Sequence, residues 1–233
     1  MAATGSIPDG RRDLIDIRRR VDIDLLQLVM TTLYRAEANG LLGPAPIEDQ
    51  LDHSLGFAAI IERILGRQPV RVLDLGTGGG VPGLVLAACW PRSEVVLLDA
   101  SERRTEALRR AVLSWPRLGR LTVVRARAES AGRDRNLRER FDAVSARAFG
   151  APAATAECGA GFVAVGGLLV VSEPPPGQPT NRWPKPGLST LSLCTGRFER
   201  VDERFGYQLL HKTAPLDERF PRRVGLPAKR PLF

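Results

Sequence analysis

The first quarter of the chain carries apolar residues at helical spacing. Over residues 12–38 they recur every three or four positions, which predicts one continuous helix. A second helical stretch, of one or two helices, covers residues 47–65 and is closed by Gly66. Residues 1–10 show no such pattern and are expected to be disordered. The sequence therefore predicts a helical extension over residues 11–66, ahead of the rest of the fold.

From residue 70 onward, short apolar runs alternate with helix-compatible stretches. The predicted strands are 70–75, 94–98, 121–125, 141–145 and 168–172. The predicted helices are 83–90, 102–114 and 151–163, and the charged stretch 134–140 is also compatible with a helix. Residues 173–187 are broken by prolines and predict a surface loop, whereas the apolar runs 188–194 and 207–210 predict a terminal antiparallel pair. This alternation predicts an α/β domain over residues 67–233, with a mostly parallel sheet and helices on both faces.

The first predicted strand leads directly into a cluster of glycines. Gly76, Gly78 and Gly80 permit positive φ angles and a close approach of ligand to backbone. About 20 residues later the next strand ends in Asp99, a carboxylate placed to bind ribose hydroxyls. Loop and acid together predict a nucleoside-containing cofactor, NAD(H) or S-adenosylmethionine, against the alternative of an ordinary glycine-rich turn. Two features favour S-adenosylmethionine: the strict G-x-G-x-x-G order is absent, and Asp74 precedes the glycines, where a carboxylate could meet a cationic methionine end.

Composition restricts the class of protein. Of 233 residues, 43% are hydrophobic, which is enough for a core, and the formal net charge is +8. No apolar run is long enough for a transmembrane helix, and the N-terminus lacks the pattern of a secretory signal. We therefore expect a cytoplasmic protein, and a monomer. The basic charge fits a polyanionic partner, although a GC-rich genome would also favour arginine.

The C-terminal tail, defined here as residues 219–233, concentrates this charge. It contains Arg219, Arg222, Arg223, Lys229 and Arg230 and no acidic residue. We expect the last four of these side chains to bind RNA phosphates. Truncation after Phe220 is then expected to weaken RNA binding and to leave cofactor affinity nearly intact. The apolar residues Val224, Leu226 and Leu232 leave packing of the tail as the alternative.

The cysteines and histidines form no recognisable metal pattern. The three cysteines are widely spaced and there are only two histidines, so no metal or disulfide is expected. Cys89 and Cys194 lie in apolar segments and are expected to pack in the core.

Taken together, several motifs resemble the class I S-adenosylmethionine methyltransferases. More closely, the chain resembles the bacterial small-subunit (16S) rRNA guanine-N7 methyltransferases of the glucose-inhibited division protein B type. The resemblance extends over roughly residues 47–233. It is carried by the motifs DLGTGGGVPG at 74–83, LLDASERR at 97–104, RAE at 127–129, SARAF at 145–149 and FPRRVGLPAKRPL at 220–232.

The resemblance implies a Rossmann-like, seven-stranded fold and assigns site residues. The implied cofactor site comprises Asp74, Gly76, Gly78, Gly80, Val81, Asp99, Ala100, Ala128, Glu129 and Arg147. Gly76 and Val81 would line the methionine and ribose end, and Ala128 and Glu129 would lie beside the adenine. Arg147 would face the methyl donor or the target base and is the implied catalytic residue. The implied substrate is guanine N7 of small-subunit rRNA or of the ribosomal subunit.

The chain also departs from the family pattern at the expected target site. The usual His-x-x-Asp-Ser-Leu reads Gln-Leu-Asp-His-Ser-Leu from Gln50, and an expected Asn-Leu-Thr is absent from the N-terminal helices. The usual Lys-Gly is replaced by Ser172 and Glu173, so we expect Glu173 to place a negative charge near the RNA-binding face. A methyltransferase of the same fold acting on a different RNA, a small molecule or a protein therefore remains the alternative.

Overall fold

The computed structural model describes residues 10–113, 115, 120–174, 182–201 and 204–233. The expected disorder of residues 1–10 falls outside these ranges, except at Gly10, which begins the first helix. Residues 175–181 of the predicted loop at 173–187 likewise lie outside the described residues.

The elements within the described residues alternate largely as the pattern predicts. The helices are α1 (Gly10–Arg20), α2 (Ile23–Ala38), α3 (Ile47–Leu65), α4 (Gly83–Cys89), α5 (Glu102–Val112), α6 (Ala128–Ala131), α7 (Pro152–Ala160), α8 (Lys185–Thr190) and α9 (Leu226–Lys229). The strands are β1 (Arg71–Leu75), β2 (Glu94–Asp99), β3 (Arg120–Arg125), β4 (Phe141–Ala146), β5 (Val163–Glu173), β6 (Leu193–Val201) and β7 (Phe205–Lys212).

The described strands form a seven-stranded sheet in the order β3-β2-β1-β4-β5-β7-β6. Strands β3, β2, β1, β4 and β5 are parallel to one another, and β7 runs antiparallel to both β5 and β6. The predicted α/β fold with a terminal antiparallel pair is therefore confirmed. The strand order reverses between β1 and β4, and ligands bind at the carboxyl ends of strands beside such a switch point.

Alternate residues of the parallel strands face two separate apolar layers. In β1, Val72 packs into the layer built on α2, α3 and α4, whereas Leu73 and Leu75 pack into the layer built on α7 and α8. Since side chains alternate along a strand, Asp74 shares the face of Val72 and points away from the face of Leu75. The Asp74 side chain is thereby placed on the α4 side of the sheet.

The prediction of a single helix over residues 12–38 is wrong. The helix breaks after Arg20, and a new one begins at Ile23. Asp22 has non-helical backbone angles, and its carboxylate accepts the N–H groups of Asp24 and Leu25 at 2.9 and 3.2 Å. An aspartate N-cap of this kind satisfies donors that a new helix leaves unpaired. The helix over 47–65 is confirmed, and Gly66 ends it at φ +67°.

Three further predictions differ from the structure. The stretch 134–140 forms turns rather than a helix, because the Asp134 carboxylate accepts the N–H of Asn136 and Glu139 has a φ of +51°. The run 188–194 begins as the end of α8, whose first turn holds a proline, and becomes a strand only at Leu193. Cys194 is exposed instead of packing in the core, since its neighbour Leu193 takes the inward-facing position.

Candidate cofactor site

The glycine loop, residues 76–80, is fixed by hydrogen bonds to the end of β2. The N–H groups of Gly76 and Thr77 donate to the Leu98 carbonyl at 2.8 and 3.0 Å. The Asp99 carboxylate accepts from Gly78 N at 2.9 Å and from Ser101 N at 2.8 Å. Asp99 is only 7% exposed, so its carboxylate holds the loop while facing the space above the sheet.

A cavity of about 580 Å³ opens at the carboxyl ends of β1, β2, β3 and β4. Five of the residues assigned to the cofactor line it: Gly76, Asp99, Ala100, Ala128 and Glu129. Phe149 completes a wall, and its ring would lie 2.6 Å from a Cβ placed on Gly76, so only glycine fits there with φ at +73°.

The donor set of this cavity fits S-adenosylmethionine. Its volume lies within the range usual for small-molecule sites. A carboxylate has about four acceptor positions, and each oxygen of Asp99 accepts one backbone N–H, so capacity remains for ribose hydroxyls. Small apolar residues and the Phe149 ring offer surfaces against which a flat base can pack. Asp99 would hold the ribose, and Ala128 and Glu129 would lie beside the adenine.

Asp74 does not line this cavity. It is fully buried, and its carboxylate accepts from Gly83 N at 2.8 Å and from Ser145 Oγ at 3.0 Å. Burial raises the pKa of Asp74 to about 6, although these hydrogen bonds and the Arg147 charge oppose the shift. Asp74 therefore supports the start of α4 from beneath the loop.

Gly78, Gly80 and Val81 also lie outside the cavity lining. A Cβ on Gly80 would be 2.5 Å from Leu84 Cδ1, and Val81 packs in the apolar layer of α4. Gly78 supplies its N–H to Asp99, and a Cβ there would meet nothing closer than 3.9 Å. These residues shape the loop and its helix through packing and backbone conformation.

Arg147 is half-buried directly after β4 and contacts the helical extension. Its Nη1 donates to Gln50 Oε1 at 3.2 Å, and Gln50 Nε2 donates in turn to the Ala45 carbonyl at 2.8 Å. Burial lowers the pKa of Arg147, and the Asp74 carboxylate opposes that shift. Gln50 thus fixes the guanidinium against the segment preceding α3.

The C-terminal tail forms part of the cavity wall. Pro227 and Ala228 line the cavity, and Gly225 N donates to the Glu129 carboxylate at 2.8 Å. Arg222 donates to both carboxylate oxygens of Glu157, with Nη2 to Oε2 at 2.6 Å, and Glu157 is 0% exposed. The expectation that the tail could be removed without effect on the cofactor therefore conflicts with this geometry.

Arginines of the domain body hold the tail by its backbone. Arg133 donates to the carbonyls of Arg219 and Pro221 at 2.9 and 2.8 Å, and Arg138 donates to the Phe220 carbonyl at 2.7 Å. Sequence reasoning missed these arginines because they lie more than 80 residues from their acceptors. A usable signal was Glu157, a single charge in the otherwise uncharged helix α7.

The four tail residues expected to bind RNA differ in exposure. Arg222 is committed to Glu157 and to the Arg230 carbonyl, to which it donates at 2.8 Å. Arg223, Lys229 and Arg230 have exposed side chains. The geometry therefore favours a structural role for Arg222 and leaves the other three cations facing solvent.

The expectation that Glu173 charges the RNA-binding face is wrong. Its carboxylate accepts from Trp183 Nε1 at 2.7 Å and pairs with Arg182, and its side chain is 8% exposed. A paired and buried carboxylate presents little net charge to a ligand.

Two further observations concern the described part of the chain. No cluster of three or more His, Cys, Asp or Glu side chains that could hold a metal ion occurs there. Within the same residues, no helix is long and apolar enough to cross a membrane.

Comparisons with known proteins agree with this geometry at the level of fold. A putative O-methyltransferase from Klebsiella pneumoniae superposes with a TM-score of 0.56 at 17% identity. The alignment covers 88% of this chain and 96% of that one. At this identity the similarity establishes the fold alone.

Sequence comparison is more specific. The chain is 32% identical over 227 residues to the ribosomal RNA small subunit methyltransferase G of Rubrobacter xylanophilus, covering 91% of this chain and 85% of that protein. The protein of the same name from Moorella thermoacetica is 33% identical over 167 residues, which cover 70% of this chain and 69% of its own. The family model of rRNA small subunit methyltransferase G matches residues 24–172. The chain therefore belongs to the rRNA small subunit methyltransferase G family and is an S-adenosylmethionine-dependent methyltransferase.

Proposed function

We propose that the protein methylates N7 of a guanine in small-subunit rRNA. The observation that carries the proposal is the cavity built around Asp99, in a chain of this family, with Arg147 directly after β4 of the same sheet. S-adenosylmethionine, when bound there, supplies an electrophilic methyl group on a sulfonium. The residues of the chain hold the donor and position the base.

Methylation of guanine N7 does not require the protein to transfer a proton. Guanine N7 carries an unshared electron pair and no proton, so no general base is required. Orientation of the two reactants and exclusion of water can supply several kcal/mol of the acceleration. A site without a catalytic dyad is therefore sufficient for this reaction.

Arg147 is proposed to hold the target base. A guanidinium is always charged and has a rigid set of donors, and arginine commonly donates to the O6 atom of guanine. One N–H to O6 would leave N7 free for the methyl group. The hydrogen bond from Arg147 to Gln50 keeps the guanidinium in place before the base arrives.

Labelled S-adenosylmethionine tests the proposal when it is incubated with small ribosomal subunits, free small-subunit rRNA and a small-molecule and protein extract. We expect label in rRNA, at one guanine whose N7 methylation is confirmed by mapping the nucleotide. Label confined to the small-molecule or protein fraction would overturn the rRNA assignment. Label at another RNA position would favour a changed target.

An Arg147→Lys variant tests the residue assignment. Lysine keeps the charge but loses the paired donors, so we expect methyl transfer to fall at least tenfold while S-adenosylmethionine affinity changes little. Arg140→Lys, at an exposed arginine before β4 and on the opposite edge of the sheet, is the matched control. Full activity of Arg147→Lys would show that Arg147 has a structural role only.

A further inference from the structure

A second cavity lies between the helical extension and the methyltransferase domain. It has a volume of about 390 Å³ and is bounded by one face of α2 and one face of α5. We call it the arginine cleft, because its lining contains Arg35, Arg103 and Arg110.

The arginine cleft concentrates positive charge in a concave surface. No acidic residue is among the described residues that line it. Arg35 and Arg110 are exposed, and neither side chain has an ion pair among the described contacts. Arg103 donates to the Asn39 carbonyl and is thereby held at the rim. Glu106 on α5 pairs with Arg109 at 3.3 Å and is not among the residues that line the cleft.

The floor of the cleft is built from small and apolar residues. Ala36, Ala107 and Ala111 leave space between the helices, and Leu108 closes the base. An anion entering the cleft meets guanidinium groups at the rim without a competing carboxylate. The volume accommodates a nucleotide-sized group, since it falls within the range usual for small-molecule sites.

The cleft adjoins the proposed reaction site. Gly79 of the glycine loop is part of its lining, as is Leu41. Leu41 is two residues from Gly43, whose carbonyl accepts from Gln50 Nε2 at 3.3 Å, and Gln50 also binds Arg147. Two residues span at most about 7 Å, so the cleft lining and the carbonyl that accepts from Gln50 lie on one short segment.

We propose that the arginine cleft binds backbone phosphates of the substrate RNA and so positions the strand beside Arg147. This inference rests on the proposed function and adds to it a phosphate-binding site between the helical extension and the methyltransferase domain. Arginine suits this role, because its planar fork donates two parallel hydrogen bonds to phosphate oxygens. The charge pattern of the sequence instead predicts RNA-binding cations in the C-terminal tail.

A pair of double variants with equal loss of charge tests the cleft. Arg35→Ala/Arg110→Ala removes two cations from the rim. Arg92→Ala/Arg140→Ala removes two exposed arginines that precede β2 and β4, at the opposite edge of the sheet. Filter binding of small-subunit rRNA is measured at several salt concentrations for both variants and for the unmodified protein. Calorimetry with S-adenosylmethionine and thermal unfolding check the cofactor site and the fold.

We expect the cleft variant to lose at least tenfold in RNA affinity, with the salt slope reduced by roughly 1.4 to 1.8 for two phosphate contacts. The control should retain its affinity and slope, and both variants should bind S-adenosylmethionine as the unmodified protein does. Equal RNA affinity of the two variants, or an unmodified protein that does not bind rRNA, would overturn the inference. In the methyl-transfer assay, label found in a non-RNA acceptor would instead overturn the proposed function. The RNA-binding measurements would still test the proposal for the arginine cleft.

A titration with a mononucleotide distinguishes the two possible sources of the bound phosphate, the RNA backbone and a free nucleotide. Titration of a 5′-mononucleotide into the unmodified protein should give binding at least a hundredfold weaker than that of rRNA. Tight mononucleotide binding that is lost in the cleft variant, with rRNA affinity unchanged, would make the cleft a free-nucleotide site and contradict the proposal.

Discussion

The glycine loop and the C-terminal tail are two walls of the same cavity, but they are held in opposite ways. The loop donates its N–H groups to β2, and Gly78 lies 21 residues from its acceptor Asp99. The tail is held from a distance: Gly225 lies 96 residues from Glu129, and Arg222 lies 65 residues from Glu157. The contacts of the loop are local to the β1–β2 pair, whereas the contacts of the tail require most of the domain to be folded.

This difference affects how each wall is stabilised. The loop can form once β1 and β2 pair, because both its anchors belong to those strands. The tail can dock only against a completed sheet and α7, and closing a longer loop costs more chain entropy. Its anchor is a buried ion pair, and removing one partner of such a pair is strongly destabilising because a buried charge is left alone. The tail is therefore the wall more sensitive to single changes.

Truncation after Phe220 should have the largest effect. It leaves the fully buried Glu157 without Arg222 and removes Pro227 and Ala228 from the cavity wall. We expect the free energy of unfolding to fall by about 3–5 kcal/mol, the cost of leaving one partner of a buried pair. Affinity for S-adenosylmethionine should fall at least tenfold in calorimetry, the opposite of what the sequence alone predicts.

A triple variant separates the packing of the tail from its charge. Arg223→Ala/Lys229→Ala/Arg230→Ala keeps the tail docked and removes its exposed cations. Cofactor affinity should be unchanged, while any contribution of the tail to RNA binding is lost. Cofactor affinity that survives truncation would show that the tail is no functional wall of the cavity.

Asp99→Ala should have the next largest effect, this time on the loop. The N–H groups of Gly78 and Ser101 lose their acceptor, and a buried donor without a partner costs about 1–3 kcal/mol. Ribose hydroxyls lose their carboxylate as well, so we expect affinity for S-adenosylmethionine to fall by about tenfold or more. Asp99→Asn keeps one acceptor oxygen, so its affinity for S-adenosylmethionine should lie between those of Asp99→Ala and the unmodified protein. Unchanged binding in both variants would place the donor elsewhere.

Asp74→Asn should change how stability depends on pH. Because burial raises the pKa of Asp74 to about 6, the folded protein holds this proton more tightly than the unfolded chain does. The free energy of unfolding should therefore fall as pH rises from about 4 to 6, by roughly 2–3 kcal/mol from this group. In Asp74→Asn this fall should be absent in denaturant titrations across that range.

Asp142 provides the control of opposite sign. Burial opposes the shift, but N–H groups of Arg71 and Val70 and the Arg67 guanidinium lower the pKa of Asp142. Its contribution is present above the ordinary aspartate pKa and is lost as pH falls through the lowered value. Asp142→Asn should therefore remove stability at neutral pH. A slope between pH 4 and 6 that is the same in Asp74→Asn and the unmodified protein would exclude a raised pKa.

The smallest effect should come from Gly78→Ala. Gly78 has a φ of +58° with open space around a new Cβ, and Gly66 at the end of α3 has a φ of +67° and is equally open. Both alanine variants should lose about 1 kcal/mol of stability from left-handed backbone strain. Only Gly78→Ala should also weaken S-adenosylmethionine binding. The reason is that the N–H of Gly78 holds the Asp99 carboxylate. Equal cofactor affinity in the two variants would show that the backbone at Gly78 does not affect the cofactor site.

The same contrast explains how much the sequence could predict. The loop and Asp99 follow from a strand-turn-helix pattern whose contacts lie within about 25 residues, so periodicity and glycine spacing were sufficient. The hydrogen bond of Asp74 to the start of α4 and the packing of Val81 in the apolar layer of α4 depend on how the loop folds, and the sequence pattern does not show them.

The tail could not be predicted from local pattern. Its arginines look alike in sequence, yet Arg222 is paired with a buried carboxylate while Arg223 is exposed. The charge composition shows that the tail is basic, but it does not show which partner each side chain has. The break between α1 and α2 did have a local signal in the sequence, because Asp22 is a residue type that favours a helix N-cap.

Hydrogen exchange of the unmodified, full-length protein, with and without S-adenosylmethionine, tests most directly whether loop and tail enclose one cofactor. We predict that the donor slows exchange in both walls, at Gly76–Gly80 and at Gly225–Ala228, with no comparable change at the opposite edge of the sheet. Protection confined to the glycine loop, with the tail unchanged at saturating donor, would contradict a cavity closed by the C-terminal tail.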